Sequence, residues 1–348
     1  MKKSRVLSLM LAGLMLVGCQ PKKAEDKKVE KKVETTTNFE GKTLNVVATS
    51  EKYKKLFDKF SAETKAKVEF LSMSSGEVIA KIKAEGGKPM ADVWFGGGID
   101  AFMKAKTDGL LEMYKPQGFD KIKEGFKDSE GYWISKGVTV VGFLANNKIL
   151  QEKGLPIPKT WAEIVDAKYK DEIIMANPAV SGTSFANVKG LIDMYGEEKA
   201  WDYFKKLNAN VKFYGKRGKD PQEKTVAGEF GLGIIPIDKS AFDVAEKNNL
   251  TAIYPEDGLC WVPEGVAIFK NSPNLEVAKA FEDFILRPEN QQMIAELDGK
   301  DGGQMVIDGT KGFELGLPKD KFIKEDITSF GSQRESILKK WAELTQGK

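Results

Sequence analysis

LNVVATSEKYKKLFDKFSAETKAKVEFLSMSSGEVIAKIKAEGGKPMADVWFGGGIDAFMKAK, residues 44–106, decides the fold. Residues 44–48 form an apolar run suited to a buried strand. Between 52 and 63, Tyr53, Leu56, Phe57 and Phe60 recur on one face at helical spacing. A second strand is expected at 68–71 and a second helix at 77–85, stopped by Gly86-Gly87. A third strand at 91–95 runs into a helix at 99–106. Strand and helix alternating in this way give a βαβαβ unit, whose sheet is parallel and whose crossovers are right-handed.

The same alternation continues outward. Residues 138–146 are apolar and β-branched and read as a long strand. Residues 173–176 and 233–236 are strands of a second α/β block, with helices at 188–194, 197–207 and 222–227. An extended run at 262–269 precedes helices at 275–286 and 289–297. No internal repeat is present. The body from residue 43 onward has roughly 300 residues, large for one core and natural for two.

Upstream of the body the chain has a different character. MKKSRVLSLMLAGLMLVGC, residues 1–19, has a basic head (Lys2, Lys3, Arg5) and an apolar run at 6–17. That run is too short to span a bilayer as a helix, which needs about 20 apolar residues. Residues 1–18 therefore read as a signal peptide. Leu16-Val17-Gly18-Cys19 resembles the bacterial lipobox, which makes Cys19 the expected site of lipidation. Residues 19–42 are then a lipid anchor and a disordered tether, since Lys, Glu, Thr and Val in this proportion bury too little apolar surface to order. The expected location is outside the cytoplasm, on a membrane-anchored lipoprotein facing the periplasm or the cell surface.

Composition removes several function classes. The chain has no histidine, so Ser-His-Asp and Cys-His catalysis and His-containing metal sites are absent. The formal net charge is +3, and the leader contributes three cations and no acids, so the rest is close to neutral. That balance gives no support for nucleic-acid binding. With Cys19 used by the anchor, Cys260 is left without a disulfide partner and is expected to be a buried structural thiol.

Four segments then place the chain. They are ANPAVSGTSF (176–185), GEEKAWDYFKKL (196–207), the turn at 226–229, and YPEDGLCWVPEGVAIFKNSPN (254–274) with AKAFEDFILRPENQ (278–291). With DVWFGGG (92–98), they resemble the iron(III), sugar-phosphate and aminoethylphosphonate-binding branch of the periplasmic solute-binding proteins of ABC importers. The resemblance implies an α/β, two-lobed periplasmic-binding-protein fold of type II that closes on its ligand about a hinge. Lobe one is placed at 43–141 and 262–348, and lobe two at 142–261. The implied role is capture of a small anionic solute and its delivery to an ABC permease by a monomeric receptor. It needs no cofactor and catalyses no reaction.

Small residues before helix starts supply the candidate ligand contacts. A helix start has unpaired N–H groups and the positive end of the dipole, glycine lets an anion approach, and hydroxyls add donors. Ser74, Ser75, Gly97, Ser181, Gly182 and Thr183 fit this description. Arg217 is one of three arginines after residue 19 and can grip a phosphate or carboxylate through two parallel hydrogen bonds. Its turn, KRGK at 216–219, can equally be a solvated surface.

Asp238 occupies the position where sugar-phosphate-binding relatives hold sugar hydroxyls. It can also cap the helix that follows. Trp94 and Trp261 are candidates for an apolar wall. The rival ligand is iron(III). Iron-binding relatives typically use adjacent tyrosines, often with histidine or a carboxylate, and this chain has neither a Tyr-Tyr pair nor a histidine. No metal site is favoured; an all-oxygen one would draw on Tyr214, Tyr254, Asp238 and Glu264. A secreted transferase-type enzyme and a surface adhesin on the same framework are the alternatives from other classes.

Overall fold

The computed structural model describes residues 37–348. The expected signal peptide, Cys19 and the first part of the tether lie outside the described residues. Of the tether's last residues, Phe39 donates its N–H to the Thr64 carbonyl at 2.7 Å and packs on the apolar core, so this end of the expected tether is ordered.

The first unit runs β1 (Thr43–Ala48), α1 (Lys54–Thr64), β2 (Lys67–Ser72), α2 (Ser75–Ala84), β3 (Val93–Gly98), α3 (Ile99–Thr107). The chain continues through β4 (Ile134–Asn146), α4 (Asn147–Glu152), β5 (Ile173–Ile174), α5 (Gly182–Tyr195), α6 (Glu197–Asn210) and α7 (Asp220–Val226). Then come β6 (Leu232–Pro236), α8 (Lys239–Asn248), β7 (Leu250–Ile253) and β8 (Trp261–Ile268). The last three helices are α9 (Leu275–Ile285), α10 (Pro288–Asp298) and α11 (Ser329–Leu344).

The strand order is β2-β1-β3-β8-β4-β6-β5, with β7 also paired to β4. β1 is parallel to both β2 and β3, as the βαβαβ pattern requires. β4 is the joint of the molecule. Its residues from Ile134 to Val140 pair antiparallel with β8, and those from Val141 onward pair with β6 and β7. All of its 13 residues are buried. One half of the sheet is thus built on β1–β3 and β8, the other on β5–β7, and β4 belongs to both.

One apolar cluster lies beside the first half, and a second spans both halves. Tyr53, Phe57, Phe60, Phe95 and Phe281 interlock beside the first half, with Phe60 edge-on to Phe281 at 5.2 Å between centroids. A second cluster runs from Trp94 and Phe102 to Trp161, Phe185 and Phe204. Full burial of such a side chain contributes about 1.5–3 kcal/mol.

Differences from the sequence expectation concentrate where local signals are weak. α5 starts at Gly182 rather than 188, because its first turn is Gly-Thr-Ser and looks like loop. α4, β7 and α11 were not anticipated. α11 is amphipathic only in places, and its position is set by tertiary contacts. Arg334 donates from Nε to Asp100 Oδ2 at 2.7 Å, Phe330 meets Phe185, and Trp341 stacks edge-on against Phe204 and Tyr214. This helix therefore touches α3 in the first half and α5 and α6 beside the second. No helix among the described residues is long and apolar enough to cross a membrane.

Candidate ligand-binding site

The C-terminal ends of β1, β2, β3 and β6 all open into one cavity of about 570 Å³. This is where open α/β sheets bind ligands, because strand ends deliver loops and helix starts to a shared crevice. β1 delivers Thr49, Ser50 and Lys52, β2 delivers Ser72 to Ser75, and β3 delivers Gly97 and Gly98. From the other side come Ser181, Gly182, Thr183, Arg217, Gly218 and Asp238.

The walls are helix starts. Ser181 caps α5 by accepting the Ser184 N–H at 3.3 Å. The next two N–H groups, of Gly182 and Thr183, have no backbone acceptor among the described residues. α2 opens differently. Ser74 and Glu77 form a capping box, and the Ser74 hydroxyl donates to Glu77 Oε2 at 2.8 Å. Glu77 thus already occupies the positive end of α2, whereas the Ser75 hydroxyl beside it is not used.

The floor is charged: Thr139, Glu264, Lys300 and the partly exposed Lys52 line it, and Lys136 and Asp298 are buried directly beneath. Lys136 on β4 is ion-paired to Glu264 of β8 at 2.5 Å and to Asp298 at the end of α10. Lys52 approaches Asp298 at 2.9 Å, and the Tyr53 hydroxyl donates to the same carboxylate at 2.6 Å. Thr139 donates to Glu264 Oε1 at 2.5 Å, and Lys300 lies 3.5 Å from that oxygen. Three lysines therefore surround two carboxylates.

Burial works against ionisation of both acids, but the lysines prevail. Lys136 and Lys300 hold Glu264 down at about 2. Asp298 is likewise held well below the carboxylate range by Lys136, Lys52 and Lys300. Burial opposes the charge of Lys136 too, yet Asp298 and Glu264 keep its pKa raised. Asp238 is the exception: burial raises its pKa, against the pull of Lys300 and Lys52.

The sequence candidates divide cleanly. Ser74, Ser75, Gly97, Ser181, Gly182, Thr183, Arg217 and Asp238 all line the cavity. Asp238 also caps α8 by accepting the Ala241 N–H at 3.1 Å, so both of its readings hold at once. Arg217 extends into solvent and pairs with Asp220 at 3.3 Å.

Trp94 and Trp261 do not line the cavity. Trp94 is fully buried and stacks on Phe102 at 4.0 Å, because its side of β3 faces the core. Trp261 points its indole N–H at the Ile323 carbonyl and packs on Phe126 and Phe322. Of the oxygen set considered for iron, Asp238 and Glu264 line the cavity, but Tyr214 and Tyr254 do not. Tyr214 donates to Asn208 Oδ1 at 2.9 Å, and burial pushes both phenols up, away from tyrosinate. Among the described residues there is no group of three or more carboxylate or thiol side chains arranged to hold a metal. Cys260 is completely buried, near Asn187.

The floor lysines were missed. Lys52 had a legible signal, since Thr49-Ser50-Glu51-Lys52 is another small polar turn before a helix, and Ser50 caps it. Lys136 and Lys300 had none, because Lys136 meets Glu264 and Asp298 across 128 and 162 residues of chain and Lys300 meets Thr139 across 161.

A sequence profile of bacterial extracellular solute-binding proteins matches residues 88–300. The chain belongs to this family, whose members are transport binding proteins exported from the cytoplasm. It is the solute-binding component of an ABC importer. An uncharacterized protein of Haemophilus influenzae is 30% identical over 296 residues, 82% of this chain and 84% of its own. The periplasmic binding protein AfuA from Actinobacillus pleuropneumoniae, solved with exogenous fructose-6-phosphate bound, superposes with a TM-score of 0.80 at 30% identity. That match covers 88% of this chain and all of AfuA. Iron-bound HitA from Pseudomonas aeruginosa gives 0.73 at 19% identity over 87% of this chain and 99% of HitA, a likeness of fold alone.

Proposed function

We propose that the cavity captures a small organophosphate, a sugar phosphate or phosphonate, and that the protein releases it unchanged to a membrane permease. The observation that carries this reading is the free pair of N–H groups at the start of α5, with the Thr183 and Ser75 hydroxyls beside them. An anion is stabilised at such a helix start by both the donors and the dipole. Arg217 is within reach of the same wall once released from Asp220. Asp238, which lines the same cavity and uses only Oδ1 to cap α8, suits a hydroxyl of a sugar. The fructose-6-phosphate found in AfuA supports this ligand class.

In this reading, lobe one comprises 43–141 and 262–348, lobe two 142–261, and the lobes close about β4 and β8. The receptor acts as a monomer, anchored through a lipid on Cys19 and held off the membrane by the residues that follow.

The test is thermal unfolding after stripping carried-over solute, with sugar phosphates, phosphonates, inorganic phosphate and ferric citrate as additions. A ligand at 100 times its Kd adds about 2.7 kcal/mol of stability. A shift with an organophosphate that Thr183→Ala abolishes is the expected result. A shift with ferric iron alone, accompanied by a tyrosinate charge-transfer band, overturns the ligand class. Turnover of any added substrate overturns the receptor role in favour of an enzyme. Anchoring is checked separately: Cys19→Ser is expected to move the protein from the membrane to the soluble fraction.

A further inference from the structure

Gly76 and Gly182 stand in the first turns of helices, where glycine is a poor choice, and Gly98, which faces Gly182, is the N-cap of α3. Gly76 lies inside α2 and Gly182 opens α5, and an alanine is favoured over glycine in a helix. None of the three has the positive φ that would require glycine, and Gly98 has φ −62°. The reason for them is contact across the cavity mouth. A Cβ on Gly76 would lie 2.2 Å from the Ala179 carbonyl oxygen and 2.7 Å from Val180 Cα. A Cβ on Gly182 would lie 2.7 Å from Gly98 N, and one on Gly98 would lie 3.0 Å from Gly182 Cα.

The approaches of Gly76 and Gly182 are backbone on backbone, so no side chain can turn aside to make room there, whereas a Cβ on Gly98 would first meet Asp100 Oδ1 at 2.5 Å. The contacts run from α2 and the start of α3, on the half built on β1–β3, to the turn after β5 and the first residue of α5. We infer that these glycines form a closure seam: backbone contacts that exist only when the two halves shut over the cavity, and whose glycines set how tightly they shut. The inference rests on the receptor reading above. Its physical content is that added bulk at the seam is relieved by a small rotation about β4 and β8, and therefore penalises the closed state alone. The apparent affinity then falls by the same factor as the population of closed protein.

Gly142 supplies the contrast. A Cβ there would lie 2.3 Å from the Ile253 carbonyl oxygen, but β4 and β7 are paired strands of the same half, and no rotation separates them.

The experiment compares Gly76→Ala, Gly182→Ala and Gly142→Ala in the purified protein. Ligand-free melting comes first. The two seam variants are expected to melt at or above the wild-type temperature, and Gly142→Ala well below it. A fall in either seam variant comparable to that of Gly142→Ala shows a permanent packing contact and overturns the seam. Fructose 6-phosphate is then titrated, with small-angle scattering as the readout of compaction. The seam variants are expected to bind about tenfold or more weakly and to compact less than wild type. Wild-type affinity and compaction in Gly76→Ala overturn the seam. If the wild type itself neither binds nor compacts with any solute tested, the proposed ligand class fails, while the ligand-free melting still decides the seam.

Discussion

The floor and the walls of the cavity are built on opposite terms. The floor is a closed electrostatic set: Lys52, Lys136 and Lys300 against Asp298 and Glu264, with Tyr53 and Thr139 taking up remaining lone pairs. The walls are open: helix starts with unused N–H groups and hydroxyls, and one arginine in water. Removing a member of the floor leaves buried charge without a partner. Removing a member of the walls leaves a gap that solvent can fill. The floor therefore bears on folding and, in the proposed reading, the walls on binding, although the two lie side by side.

The largest effect separating them is at Lys136. Lys136→Met takes the shared, fully buried lysine from two buried carboxylates and is expected to lower unfolding stability by about 3–5 kcal/mol, measured by urea denaturation. A loss no larger than that of a wall substitution would erase the distinction.

Acid comes next. Asp298 and Glu264 have folded pKa values below their ordinary ones, so the unfolded chain binds more protons in acid. Their contribution is complete above the ordinary carboxylate range, about pH 4–4.5. It is lost as pH falls toward about 2, where Glu264 titrates in the folded protein. Wild type is expected to lose stability steeply over that window. Lys136→Met, whose carboxylates are less depressed, is expected to show a shallower loss in the same acid titration.

On the walls, Ser74→Ala removes the α2 capping box and is expected to cost about 1 kcal/mol, read by thermal melting. The smallest effect is at Arg217. Its side chain is exposed and its pair with Asp220 is solvated, so Arg217→Ala is expected to change stability by less than about 0.5 kcal/mol. Its effect on organophosphate affinity is expected to exceed its effect on stability, which isothermal titration beside the melting curve would resolve.

This division also explains what could be read from the chain. Wall residues announce themselves locally: Ser181-Gly182-Thr183 and Ser74-Ser75 are short polar turns before apolar helical periodicity, and all line the cavity. The parallel β2-β1-β3 core was legible for the same reason, since each strand and helix carries its own period. Floor residues are lysines and carboxylates like dozens of others in this chain, and only the fold brings Lys136 to Asp298. The aromatic candidates failed on facing. In the alternation of β3, Trp94 points to the core side, and sequence alone did not say which side held the cavity. α11 was invisible because Arg334, Phe330 and Trp341 are positioned by partners in α3, α5 and α6 rather than by a strong stripe of their own.

The place of β8 has a consequence for how the chain is made. It lies between β3 and β4, but it is synthesised after both, since β3 ends at Gly98 and β8 begins at Trp261. At about 5–20 residues per second, the ribosome needs roughly 10–30 s to cover that interval. Throughout it β3, and from its own synthesis onward the first half of β4, have no neighbour on the sides that β8 will occupy. Two unpaired apolar edges are then open to other chains. A nascent chain ending before Trp261 carries the polar turns after β1, β2 and β3 but neither Glu264 nor Lys300, and it has no β8 to join its two halves.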